Sequence, residues 1–495
     1  MVANNRAYSP IFSNEIVYAN IIDVIKTSFG FLEKRTPPKF LERDIALGGM
    51  PAIKNIYLRT PIGEKMAELL AKSSGNTKEE ILASVISPSG YTANDIYSVL
   101  TKEQLLSSDK KLYEYAPLRS PSLSKKLAEH DIINLFGSTE DKAFFRMNSN
   151  ATFRKITDNL NISNNETVDL TDREERLKEL LSEEKFDHKE DYKVIKLDHT
   201  HSSSGRAKVD AKNVHIKTDS EETRKTMTLD VFLKSEVDER KEKLSCLIVE
   251  DFLHMDQELC PSLGYYIDSD SIYFDKECGA LNQSFDKITH FAVSTIEDST
   301  LQDEWQPVIE AMKEISNDVL SAQLKDLKTQ GLSFEPVLDF ALLEATEHNS
   351  KKLQGKAVKK INFRKEYYVY CSENNPRRSG SLARKTYTSF RASYEPLEIK
   401  DAKFKIPEIN VPYTDKRNFN LTEEIAIIMD ELNHILGPQQ KKQWVTGFSV
   451  TGEKHGSAEF NCVISDSSEK VAEIYAKLNT IIEEKLTLHL LRKSS

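Results

Sequence analysis

Between Lys351 and Arg391 the chain concentrates twelve Lys and Arg residues against only two acids, Glu366 and Glu373. The 495 residues together carry a formal net charge of -10, so this segment stands near +10 and the remainder near -20. Phe363, Tyr367, Tyr368, Tyr370, Tyr387 and Phe390 are interleaved with the cations. Clustered ammonium and guanidinium groups neutralise phosphates, and exposed rings stack on bases. These residue types therefore suit recognition of a polyanion. Nucleic acid is the first expectation. An acidic protein partner, this chain's own acidic regions included, and a plain solvated surface are the alternatives.

The segment has strand periodicity. Ile361, Phe363, Tyr367, Val369 and Cys371 share one face, while Lys360, Asn362, Arg364, Glu366, Tyr368 and Tyr370 share the other. Asn374 to Gly380 reads as a turn, and Thr386, Thr388, Phe390, Ala392 and Tyr394 alternate again. The expectation is a hairpin over 359–394 with an Arg-bearing tip. Its contact residues would be Lys359, Lys360, Arg364, Tyr368, Tyr370, Arg377, Arg378, Arg384, Lys385, Tyr387 and Arg391.

Three smaller constellations could do chemistry. Tyr266-Ile-Asp-Ser-Asp-Ser-Ile-Tyr-Phe274 places Asp268 and Asp270 on a turn between two strand-like runs. Two carboxylates so placed suit a two-metal site if a third arrives from a neighbouring strand. Over these nine residues the chain resembles the metal-binding motif of family B DNA polymerases, and the resemblance implies that Asp268 and Asp270 hold divalent metal. The family's other palm motifs are absent, and a polar hairpin turn explains the same residues. Asp198-His-Thr-His201 offers three metal donors, but Ser202 to Gly205 follow at once, as in a solvated loop. Cys246, His254, Cys260 and Cys278 are too irregularly spaced for a zinc framework, and Cys246, Cys371 and Cys462 read as small core residues. No serine elbow, Gly-rich phosphate loop or His-Glu-x-x-His helix occurs. With 17 Gly in the chain, nucleotide cofactors of the Rossmann or P-loop kind are not expected, nor is any other cofactor or metal.

The elements that would carry these groups suggest a multidomain α+β chain. Residues 1–160 read as a mainly helical domain, with Thr77 and Glu80 a capping box. Three short helices in succession there admit a helix-turn-helix reader of DNA, but acids and bases are balanced and a packing layer explains them as well. Residues 161–225 are polar and read as a linker or mobile insertion, with Thr171 and Glu174 capping one helix. Residues 226–350 read as an α+β middle domain with a long helix over 301–330, whose apolar stripe is Val308, Met312, Ile315, Val319 and Ala322. The basic arm occupies 351–417. Residues 418–495 form a C-terminal two-layer unit of helix, strand, strand, helix.

Five cysteines without a Cys-x-x-Cys pair, a polar N-terminus and no run of roughly 18 apolar residues predict an intracellular chain in a reducing compartment, with no membrane contact. These features together predict a non-enzymatic cytoplasmic subunit of a larger assembly, in a transcription- or replication-type role. Other protein subunits are the expected partners, and nucleic acid binds through the hairpin. The alternatives are a self-assembling protein such as a viral shell or scaffold component, and a metal-dependent enzyme using Asp268 and Asp270.

Overall fold

A computed structural model gives the fold as a mixed α+β architecture of helices and sheets. It describes most of residues 149–186, 191–198, 206–217, 224–238, 246–255, 259–267, 271–280, 299–327 and 336–375, with shorter stretches elsewhere between 16 and 484.

The N-terminal part carries a parallel sheet that was not expected there. Strands β1 (Ile16–Tyr18), β2 (Asn55–Tyr57), β3 (Val85–Ile86), β4 (Lys111–Glu114) and β5 (Ile133–Asn134) lie in the order β3-β2-β1-β4-β5. Helices α1 (Lys78–Ser84), α2 (Ala93–Lys102) and α3 (Pro121–Ala128) run between them. The strands are two to four residues long, too short for periodicity to reveal. The capping box forms as expected: Thr77 N donates to Glu80 Oε2 at 2.7 Å, and Glu80 N donates to Thr77 Oγ1 at 3.1 Å.

Helix α4 (Asn150–Asn159) leads into a second, six-stranded sheet. Its strands are β6 (Asn165–Asp169), β7 (Lys193–Leu197), β8 (Arg206–Val209), β9 (Val214–Lys217), β10 (Arg224–Met227) and β11 (Cys246–Asp251), in the order β10-β9-β8-β7-β11-β6. Most of it comes from residues expected to form a linker. The polar composition misled because the strands alternate. Ile195, Leu197, Ala207, Val209, Val214, Ile216, Leu247 and Val249 face a core, where Leu177 of α5 (Arg173–Leu180) and Phe232 of α6 (Leu229–Phe232) meet them. The intervening positions, Lys196, Arg206, Lys208 and Glu250, point away from that core. Asp172, not Thr171, stands at the cap position of α5. The turn between β8 and β9 is held by Asp210 Oδ1, which accepts from Lys212 N and Asn213 N at 2.8 Å each.

The third sheet is antiparallel, in the order β13-β12-β16-β18-β17. Its strands are β12 (Ser262–Ile267), β13 (Ile272–Ala280), β16 (Val337–Glu344), β17 (Lys359–Phe363) and β18 (Lys365–Asn375). Between β13 and β16 come a small hairpin, β14 (Gln283–Phe285) with β15 (His290–Ala292), and the helix α7 (Ser299–Leu327). The expected apolar stripe of α7 does pack on this sheet. Val308, Met312, Ile315 and Val319 join Trp305, Leu338, Phe340, Leu342, Val369 and Cys371 in one core. Strand β16 reads as a nearly continuous apolar run because both its faces are covered. On the far side Ala341, Leu343 and Tyr370 pack with Leu353, just beyond α8 (Glu347–Lys352).

Asn349 of α8 is fully buried and fixes the segment through which the chain leaves β11. Its Oδ1 accepts from His254 N at 3.0 Å, and its Nδ2 donates to His254 O at 2.8 Å and Glu344 O at 2.9 Å. His348 stacks on His254 with centroids 4.2 Å apart.

A further antiparallel sheet holds β19 (Lys403–Lys405), β20 (Glu408–Val411), β21 (Gln443–Val450) and β22 (Gly456–Ile464). The two strands expected at the C-terminus are β21 and β22, paired antiparallel. The helices expected on either side of them lie outside the described residues.

Truncating Phe340 removes a ring from the middle of the α7 core. Phe340→Ala should lower unfolding free energy by about 3–5 kcal/mol in denaturant titration. Val231→Ala, at a position 49% exposed, should stay within about 0.5 kcal/mol.

Candidate functional site

Charged side chains that neither core can accept gather where β7, β8 and β11 of the six-stranded sheet face β16 and β18. Glu250 on β11 lies at the centre. Its Oε1 is 2.7 Å from Arg154 Nε, and its Oε2 is 2.8 Å from Lys196 Nζ. Arg154 is 2% exposed and bridges to the other sheet, donating to Ser372 O at 2.5 Å and Tyr370 Oη at 3.4 Å. Nearer solvent, Arg206 of β8 pairs with Glu373 of β18 at 2.5 Å.

Local structure explains each placement. Arg154 sits one turn into α4, and Asp198, at the end of β7, secures that helix's first turn. Asp198 accepts from Ser149 Oγ at 3.1 and 2.9 Å and from Ala151 N at 3.1 Å, where a carboxylate also meets the positive end of the helix dipole. Lys196 is two residues upstream of Asp198 on the same strand. Glu373 is aimed by an irregularity. Opposite Asp339 and Phe340, strand β18 contributes Glu373 and then Cys371, so Ser372 is an extra residue in the ladder. Cys371 therefore lies in the α7 core, while Glu373, two residues on, faces the opposite sheet. Ser372 Oγ donates to Asp339 O at 3.0 Å and steadies the bulge. Asp339 lies beside Glu373 in register, and Asn375 Nδ2 donates to Asp339 Oδ2 at 2.6 Å.

Burial sets the electrostatics. It alone pushes the Glu250 carboxyl up, but Arg154 and Lys196 together reverse this and hold it below the usual carboxylate range. Burial, then Arg154, pushes the Lys196 ammonium down to about 7, with Glu250 opposing. Burial raises the Tyr370 hydroxyl. Two carboxylates and a carboxamide side by side are hard oxygen donors, suited to a small divalent cation that takes its remaining ligands from a bound phosphate. Among the described residues no group of three or more His, Cys, Asp and Glu could hold a metal by itself.

The sequence-derived contact residues fall differently from expectation. The hairpin turns at Arg364, whose φ of 55° is left-handed, and pairs β17 with β18 directly. Lys359 pairs with Glu314 at 2.6 Å and Arg364 with Glu304 at 2.6 Å, both acids on α7. Lys360 pairs with Glu366 at 2.9 Å and Lys365 with Glu344 at 3.1 Å. Tyr368 is partly covered, its hydroxyl 3.2 Å from Ser350 Oγ, and Tyr370 is buried. Arg377, Arg378, Arg384, Lys385, Tyr387 and Arg391 lie outside the described residues, as do Asp268, Asp270, His199 and His201. Cys246, Cys260 and Cys371 are buried free thiols, and Cys371 is pushed up to about 12 by burial. The cluster around Glu250 was missed. The signal available was a lysine, an arginine and a glutamate at positions where strands otherwise alternate with apolar residues.

No family model and no curated protein matches the chain. Among solved structures it is similar to a carboxyaminoimidazole ribonucleotide synthase from Aspergillus clavatus complexed with ATP, at 9% identity and TM-score 0.46, over 96% of this chain and 99% of that one. It is similar to an N5-carboxyaminoimidazole synthetase from Staphylococcus aureus complexed with ADP, at 10% identity and TM-score 0.46, over 96% of this chain and 100% of that one. A third is described as glycinamide-RNase-transformylase T from Mycobacterium tuberculosis, at 8% identity and TM-score 0.43, over 94% and 99%.

The expected non-enzymatic subunit with a nucleic-acid hairpin is corrected, since the hairpin's described cations are already paired within the chain. These neighbours are enzymes, not transcription, replication or viral-shell proteins. The described hairpin cations Lys359, Lys360, Arg364 and Lys365 are engaged by the chain's own carboxylates. No helix among the described residues is long and apolar enough to cross a membrane.

Lys196 gives a stability signature. Its folded proton affinity is depressed below the ordinary lysine value of 10.5, so between pH 7 and 10.5 the unfolded chain holds the extra proton. Stability from this group therefore rises with pH across that window. The difference in unfolding free energy between wild type and Lys196→Met should shift in favour of wild type as pH goes from 7 to 10. A pH-independent difference would refute the assignment.

Proposed function

We propose that the chain is an enzyme that binds a nucleoside triphosphate, with its divalent cation, between the six-stranded sheet and β16–β18, and transfers a phosphoryl group from it. The observation that carries this reading is the opposition of charge across one gap. Lys196 and Arg206 stand on one sheet, and Asp339, Glu373 and Asn375 on the other. A polyphosphate needs cations on its oxygens, and a chelated Mg2+ needs one or two protein carboxylates. Here the two sets lie so close that Arg206 meets Glu373 directly.

Lys196 and Arg206 would bind the phosphate oxygens, with Arg206 able to grip two at once. Asp339, Glu373 and Asn375 would hold the cation, which when bound neutralises charge developing on the transferred group. Lys208, two residues beyond Arg206 on β8, lies over the rings of Phe252 and Tyr192, its Nζ 4.2 and 3.5 Å from their centroids. Scarcity of glycine does not count against this arrangement, because a clamp of two sheets grips phosphate with side chains and needs no close backbone approach.

Calorimetric titration of the full chain with ATP, with and without Mg2+, tests the proposal. Wild type should bind in a Mg2+-dependent manner. Lys196→Met should weaken binding at pH 6.5 by about tenfold or more, the loss of one charged hydrogen bond. Glu373→Gln should remove most of the Mg2+ dependence. A wild-type protein that binds no nucleoside triphosphate at millimolar concentration would overturn the reading.

A further inference from the structure

Glu250 has two carboxylate oxygens and serves two buried cations, Arg154 at 2.7 Å and Lys196 at 2.8 Å. Arg154 cannot itself meet a ligand. It is 2% exposed, and its Nη atoms donate to Ser372 O, to Tyr370 Oη and, at 3.4 Å, to Glu250 Oε2. A structural link between α4 and the two sheets would need only a neutral donor there. A guanidinium does something more, because it leaves three buried groups with one unbalanced positive charge beside Lys196. The charged groups that act on Lys196 are Arg154 on α4, Glu250 on β11 and Arg206 on β8; on β18, Glu373 pairs with Arg206 and Tyr370 accepts from Arg154.

We propose that Arg154 is a positioning residue that, by sharing Glu250 with Lys196, sets the pH range over which Lys196 carries its charge and the gap holds phosphate. The consequence for phosphate rests on the function proposed above, whereas the effect on Lys196 does not. With Arg154 present, one carboxylate oxygen is committed to it, the other is shared with it, and a like charge lies close, so Lys196 gives up its proton easily. Removing the guanidinium frees Glu250 for Lys196, and the ammonium then persists to higher pH. Removing the carboxylate acts in the opposite direction.

The test is 15N NMR titration of lysine side chains in the full chain without nucleotide, with the Lys196 signal assigned by its loss in Lys196→Met. Calorimetry with Mg2+-ATP over the same pH range follows. The Lys196 midpoint should rise by about one pH unit or more in Arg154→Gln and fall in Glu250→Gln. Arg154→Lys, which keeps the charge, should stay near wild type. The pH at which Mg2+-ATP affinity is lost should move with the midpoint. A residue that merely holds the fold would not shift the two variants in opposite directions. Midpoints that do not move would overturn the proposal. If both variants fail to fold, the wild-type titration decides, because a Lys196 midpoint at the ordinary lysine value would equally overturn it. Shifted midpoints in a protein that binds no Mg2+-ATP would uphold the role of Arg154 and overturn only the phosphate reading.

Discussion

One buried carboxylate ties α4, the six-stranded sheet and β18 together. Glu250 comes from the six-stranded sheet, and the guanidinium it holds comes from α4 and reaches back to β18. Each ion alone would lose several kcal/mol of hydration on burial, and the arrangement is tolerable because every charge meets an opposite one and Arg154 has further acceptors. Such a network stabilises little compared with apolar packing. It fixes where things lie. With Glu250 pinned, Lys196 is held in the interior and Arg206, nearer solvent, meets Glu373 of the other sheet.

The two packed cores do the rest of the stabilising. One joins α5 and α6 to the six-stranded sheet, and the other lays α7 along the third sheet. The six-stranded sheet thus turns one face to its helices and bears charge on the other, while the third sheet carries charge only beside a smaller apolar cluster of Ala341, Leu343, Leu353 and Tyr370. The alternation of side chains along a strand separates these duties with no added device. The exception is Ser372, where an extra residue turns the strand so that Cys371 and Glu373 serve opposite faces. Bulges often re-aim a side chain near a site in this way.

Legibility in the sequence followed length and local rules. The 29-residue α7, the capping box at Thr77 and Glu80, and the strands β21 and β22 could be read, because stripe, cap and alternation are local signals. The short parallel strands could not, since two to four residues carry no period. The basic segment was conspicuous, but its cations answer acids on α7, more than forty residues earlier, and composition is blind to such pairings. The site was hidden for the same reason. Arg154, Lys196, Glu250 and Glu373 are ordinary charged residues until four elements bring them together. The bulge at Ser372 also breaks the alternation, which by itself would have put Glu373 on the same face as Cys371.

The reach of Arg154 bears on how the chain matures during synthesis. Its acceptor at Ser372 lies 218 residues downstream. At ordinary translation speeds of about 5–20 residues per second, the ribosome needs roughly 10–40 seconds to supply it. Throughout that interval the six-stranded sheet can assemble, while its buried guanidinium and the seat for His254 still lack their later partners. The nascent intermediate therefore presents a charged, half-completed face, which water tolerates better than a bare apolar one. An apolar residue in place of Arg154 would leave sticky surface exposed for the same time, a hazard for newly made chains that equilibrium stability does not register.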